Sequence, residues 1–228
     1  MTETAPPPAP RPDKKASYVE LHAASAFSFL EGASQPEDLI ARAQELEIPA
    51  IALLDRNGFY GSARMHTAGE RNSIRAHVGA EISTSALGSE SVPRLTPAPW
   101  LPRPQFFEKE LAPARLPLLC HSRTGYQNLC QLITQFKMRE PTKAEGAATH
   151  DDLAQYAEGL ICLTGGDEGP LASALTTGGE PAGRALLEQL TRLYGPNNVY
   201  VELQRHHERD EEARNQAALS LARSMRCV

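Results

Sequence analysis

Short apolar runs in this sequence end on side chains that could do chemistry. The run at 18–22 closes with Leu21-His22, the run at 50–54 with Asp55-Arg56, and the run at 77–82 carries Glu81. The run at 116–120 is followed by His121, that at 160–164 by Gly165-Gly166-Asp167, and that at 199–203 by Gln204-Arg205-His206-His207. A histidine, several carboxylates and further histidines on one rim could form a metal site of mixed nitrogen and oxygen ligands, a donor set suited to phosphoester chemistry. Gly165-Gly166 could be a phosphate-cradling turn, but the acids at Asp167 and Glu168 would repel phosphate, and a tight turn explains the glycines. His66 and His121 read as surface residues, and Glu211-Glu212 with Arg214 as a solvated helix face.

Collecting such residues on one rim requires an α/β sheet, in which the loops after parallel strands gather on one side. The pattern supplies one. The alternation at 18–22 reads as a strand. Ser34-Gln35-Pro36-Glu37 then reads as a capping box before a helical stripe of Leu39, Ile40, Ala43 and Leu46, and a buried strand follows at 50–54. The rhythm predicts further helices at 61–72, 126–137, 151–156, 171–176, 183–194 and 210–224. Further strands are predicted at 77–82, 116–120, 160–164 and 199–203. Short apolar strands alternating with helices predict parallel α/β architecture, closing as a barrel or a barrel-like sheet.

Composition bounds the function. The chain has 228 residues, 41% of them hydrophobic, and a formal charge of 23 − 28 = −5, sufficient to bury one core and unlike a basic nucleic-acid clamp. Residues 1–16 are Pro-rich and polar and are expected to form a disordered tail, leaving one domain over 17–228. The stretch 83–114, rich in proline and short of periodicity, is expected to be a long loop or insertion. Cys120, Cys130, Cys162 and Cys227 include no C-x-x-C pair, which fits reduced thiols. With no long apolar run to span a membrane and no signal peptide, a cytoplasmic location without membrane contact is expected.

Several blocks carry a resemblance. Leu21-His22-Ala23-Ala24-Ser25-Ala26-Phe27-Ser28-Phe29-Leu30-Glu31-Gly32-Ala33 is similar to the opening of the PHP (polymerase and histidinol phosphatase) domain of bacterial C-family DNA polymerases, L-H-x-H-S-x-[FY]-S-[FL]-L-[DEK]-G-A, most closely in the error-prone, polymerase III alpha-like group. Ala52 through Gly61 resembles A-L-T-D-H-D-G-L-Y-G, and Val78-Gly79-Ala80-Glu81-Ile82 resembles V-G-A-E-[IL]. The blocks beginning at Leu118, Gly159 and Val199 follow in the family's order. The resemblance implies a PHP-type (βα)7-like barrel, incomplete at the C-terminus because the block carrying the last rim positions would follow Val228. An exposed sheet edge near 199–203 is the expected consequence.

Active members of the family hold up to three metals on the barrel rim. Here the resemblance puts Ala24, Arg56, Arg115 and Gly166 at ligand positions, none of which binds a divalent cation, and leaves His22, Glu31, Glu81 and His206 as vestigial ligands. Arg56 and Arg115 are expected to stand where metals would, paired with Glu81, Glu31 or Asp55, and His22 to be hydrogen-bonded to a carboxylate. No catalytic residue and no bound cofactor are expected in this chain. The implied parent is a DNA-directed DNA polymerase for translesion synthesis in DNA repair, using magnesium. The remaining polymerase domains are the implied partner, DNA is reached through them, and other translesion proteins are further candidates. A metal-dependent PHP phosphoesterase or 3′→5′ exonuclease is the alternative. A second alternative is a protein-docking module of a mutagenesis complex, acting through the Pro-rich segment 93–113.

Overall fold

The computed structural model describes residues 18–85, 87, 113–139, 146–206, 211–225 and 227. The expected tail at 1–16, most of the 83–114 segment and His207 lie outside the described residues.

A six-stranded sheet runs in chain order: β1 (Glu20–Ala23), β2 (Ala50–Arg56), β3 (Arg75–Thr84), β4 (Ala114–Cys120), β5 (Leu160–Leu163) and β6 (Val199–Tyr200). The helices are α1 (Pro36–Glu45), α2 (Ser62–Asn72), α3 (Arg123–Arg139), α4 (His150–Gln155), α5 (Pro170–Tyr194) and α6 (Glu211–Met225). The architecture is mixed α/β, and the sheet curls into an incomplete barrel of the kind the sequence implied. One strand departs from the expected parallel order, because β4 pairs antiparallel with both β3 and β5. The long connection before it lets the chain re-enter the sheet from either end. The reversal brings Arg115, at the start of β4, beside the ends of β2 and β3, and sends His121 to the opposite end, where its N–H donates to the Gly159 carbonyl.

Strand alternation sorts the residues between two faces. On the outer face Ile51 and Leu53 pack with Ile40 and Ala43 of α1 and Met65 of α2. Ala80, Ile82, Leu116, Leu118, Leu160 and Cys162 pack under α3 and α5. The inner face of the curl carries Ala52, Leu54, Leu119, Ile161 and Leu163. Each fully buried leucine contributes about 2–3 kcal/mol by leaving water, so the outer layers dominate stability.

Local chemistry modifies two sequence expectations. The capping box at Ser34 does not form: Gln35 is the N-cap of α1 without a side-chain bond, Pro36 opens the first turn, and Glu37 pairs with Arg64 of α2 instead. Leu46 is largely exposed beyond the end of α1. The two expected helices at 171–176 and 183–194 are continuous as α5 apart from a break at Gly179 (φ 65°, ψ −161°), a conformation open to glycine, followed by Pro181.

Candidate functional site: a charged rim

The rim is built at the carboxyl ends of β2 and β3, the start of β4, the end of β1 and the segment after β6. Parity along β2 decides which side chains reach it. Arg56 shares the inner face with Ala52 and Leu54, whereas Asp55 points outward. There the Asp55 carboxylate accepts from the Ser25 N–H (2.9 Å), the Ser25 hydroxyl (2.8 Å), the Ser28 hydroxyl (2.9 Å) and the Gly61 N–H (2.8 Å). Asp55 is therefore a buried clasp for the 24–34 turn and not a partner of the rim arginines, as one expectation had it. The Ser28 hydroxyl in turn accepts from the Arg56 N–H at 3.1 Å. Gly32 closes this turn, and a Cβ there would lie 2.0 Å from the Ser25 carbonyl oxygen. The clasp thus fixes the backbone that carries Glu31.

Glu31 receives two guanidinium groups on one oxygen, Arg56 at 2.7 Å and Arg115 at 2.8 Å. Arg115 also contacts Glu168 at 2.6 Å and Glu81 at 3.7 Å. His22 bridges the next pair of carboxylates: its Nε2 lies 3.3 Å from Glu81 and its Nδ1 lies 2.8 Å from Glu202. Burial by itself would lower the pKa of His22, but the hydrogen bonds and charges of Glu202 and Glu81 outweigh it and raise the pKa from 6.5 to about 10. The ring is consequently an imidazolium at neutral pH. Glu202 is held by Gln204, whose amide donates to Oε1 at 2.6 Å, and its backbone N–H donates to the Thr164 hydroxyl at 2.9 Å.

Of the residues singled out from the sequence, His22, Glu31, Glu81, Arg56 and Arg115 come together in one network. His206 does not join it: its side chain is exposed, and both its N–H and its Nδ1 face Glu211. Glu211, expected on a solvated face, is buried at the start of α6 and receives those groups. Arg214 pairs with Asp167. Ala24 and Gly166 contribute no ligand atom, and a Cβ on Gly166 would lie 2.0 Å from the Gln204 side chain, so the glycine admits Gln204 to the rim. Sequence reading missed Glu202 and Glu168. Glu202 sits in the Val199 block, whose histidines drew attention first.

The donor set does not suit a multinuclear metal centre. Both His22 nitrogens are engaged by carboxylates, Glu31 is covered by two guanidinium groups, and among the described residues no three His, Cys, Asp or Glu side chains are grouped to hold a metal ion.

Fold and rim together define an α/β half-barrel with its polar groups at the carboxyl ends of the parallel strands. Residues 20–206 match the PHP domain family, and the chain belongs to it. It is 34% identical over 206 residues to an error-prone DNA polymerase of Mycolicibacterium paratuberculosis, covering 90% of this chain and 17% of that protein. It is 35% identical over 216 residues to an error-prone DNA polymerase of Anaeromyxobacter dehalogenans, covering 91% of this chain and 16% of that protein. The chain thus spans about a sixth of the length of these curated relatives. A crystal structure described as a metal-dependent phosphoesterase from Bifidobacterium adolescentis superposes with a TM-score of 0.56 at 10% identity, covering 92% of this chain and 85% of that one, and shares the fold. No helix among the described residues is long and apolar enough to cross a membrane.

Proposed function

We propose that this chain serves as the PHP module of an error-prone DNA polymerase, with a structural rather than a hydrolytic role. The observation that carries the reading is the set of cations fixed to the chain at the rim, where the resemblance implies metal ligands in active members. Arg56, Arg115 and the His22 imidazolium face Glu31, Glu81, Glu202 and Glu168, so three of the rim's four carboxylate charges are offset without an ion from solution. A guanidinium cannot deprotonate water or act as a Lewis acid, which leaves the rim without the nucleophile that phosphoester hydrolysis requires. What the network does is pin the 24–34 turn and four strands, β1 to β4, to one another. The remaining domains of the longer polypeptide would supply DNA binding and the magnesium-assisted nucleotidyl transfer, and a cytoplasmic location suits that work.

The test is metal analysis of the purified chain, with an assay of p-nitrophenyl phosphate hydrolysis in added manganese. Less than one metal per chain and no turnover are expected. Two or more bound metals, or manganese-dependent turnover abolished by His22→Ala, would overturn the structural reading in favour of a phosphoesterase or nuclease.

A further inference from the structure

Helix α3 packs on the sheet with one face, through Gly125, Leu129, Leu132, Ile133 and Phe136. Its opposite face is a row at four-residue spacing, Arg123, Gln127, Gln131, Gln135 and Arg139, every member of which is exposed. Four residues advance a helix by about 6 Å, so the row steps along about 24 Å of surface. Over its 17 residues α3 carries Arg123, Lys137 and Arg139 and no Asp or Glu, a charge of +3 in a chain of −5. Solvated helix faces ordinarily interleave both signs, whereas here amides fill the positions between the cations. Arg139 pairs with the buried Asp152 of α4 at 2.6 Å. Among the described residues Arg123 meets no carboxylate, and Lys137 donates only to the Tyr60 hydroxyl, at 2.6 Å. One flank of the row carries aromatic rings. Lys137 Nζ lies 5.2 Å from the Tyr60 ring centroid, and Phe59 packs against Tyr126 with centroids 5.1 Å apart, while Tyr60 and Tyr126 stay 52% and 45% exposed. Uncompensated cations offset phosphate charge, amide side chains donate to phosphate oxygens, and an exposed ring stacks on a base that is not already held in a duplex. An acidic peptide would use the cations and leave the rings without a partner.

We propose that the exposed face of α3, together with Tyr60, is a contact surface for single-stranded DNA. Its phosphates follow Arg123, Gln127, Gln131 and Gln135, and one or two bases stack on Tyr60 and Tyr126 beside Lys137. The contact is sequence-neutral, since phosphates and ring stacking are common to every base. This rests on the reading of the chain as a module of a DNA polymerase and adds a contact made by the module itself.

The test titrates a short, fluorescein-labelled oligothymidylate with the full chain and reads anisotropy. Two offset phosphates, at Arg123 and Lys137, give log K a slope of about −1.4 against log salt, so binding is expected to weaken about sevenfold between about 50 and about 200 mM salt. Lys137→Gln is expected to halve that slope, and Tyr60→Leu to weaken binding at least about fivefold while leaving the slope unchanged. Gln127→Glu combined with Gln131→Glu keeps helix propensity and is expected to abolish binding, with the melt followed by circular dichroism. Arg223→Glu on α6 changes the net charge equally and is expected to leave affinity within about twofold. An equal loss in Arg223→Glu, tighter binding of a duplex of the same length, displacement of the oligonucleotide by polyglutamate, which would mark an acidic protein segment as the partner, or no binding at the lower salt would each overturn the proposal. These readouts need neither metal nor catalysis, so their failure is distinguishable from failure of the structural reading of the rim.

Discussion

The imidazolium of His22 gives the rim a pH dependence that can be worked through. With a folded-state pKa of about 10 against 6.5 when free, the ring keeps its proton in the native state over a range in which the unfolded chain has released it. The native state then binds more protons, so stability falls as pH rises: the contribution is fully present below about pH 6.5 and is lost on approach to pH 10. A difference of about 3.5 pKa units corresponds to a ceiling of roughly 5 kcal/mol at 1.36 kcal/mol per unit. The open pocket lined by His22, Leu119, Ile161 and Leu163 admits water on one side of the ring, which raises the local dielectric, so about half of that, roughly 2 kcal/mol, is the expected effect. The perturbation is His22→Gln, which retains a polar side chain and removes the charge. The assay is urea denaturation of both proteins at about pH 6 and about pH 10, read as the difference between them so that lysines, cysteines and tyrosines titrating in both cancel. The variant should be less stable at the lower pH, and the gap should shrink by roughly 2 kcal/mol at the higher one. A gap that is constant or widens with pH, or a His22 ring seen by NMR to titrate near its free value, would refute the reasoning.

Two other perturbations probe the same architecture. Arg115→Met removes contacts to Glu31, Glu81 and Glu168 from a side chain only 19% exposed. Its cost should fall between a surface pair and a fully buried one, about 2–3 kcal/mol, seen as a melting temperature lower by about 5–10 °C. A double-mutant cycle with Glu31→Gln should give a coupling above about 0.5 kcal/mol, and strict additivity would show the pair to be incidental. Asp55→Ala leaves two backbone N–H groups and two hydroxyls without their acceptor, at about 1–3 kcal/mol each, so loss of the cooperative melt by circular dichroism is expected, with Asp55→Asn milder.

Much of this was legible in the sequence because it depends on local periodicity. The six strands follow from short apolar runs, and the placement of His22, Glu31, Arg56, Glu81 and Arg115 on one rim follows from the resemblance. The direction of β4 was not legible, since apolar alternation is the same read from either end and the connection before it is long. That reversal is what makes Arg115 a rim residue and His121 not one. The separation of Asp55 from Arg56 was readable from the two-residue period of a strand, but the expected pairing did not use it. Glu202 was missed, and Glu211 misplaced on a solvated face, for a different reason. Their partners lie across the fold or in the turn before a helix, and an acidic residue near His206 or at the head of a Glu-Glu run looks the same whether it is solvated or buried.

Cations fixed to the chain would let such a rim hold together without solute ions. A metal centre joins its ligands through an ion that can dissociate, and deprotonated ligands repel one another when it leaves. In this rim the positive charges belong to β2, β4 and β1, so the attraction is intramolecular and independent of metal concentration. The ion pairs form a cross-brace, with Glu31 tied to two strands at once and His22 linking β3 to the segment after β6. His22 holds the opening of the sheet from one end only.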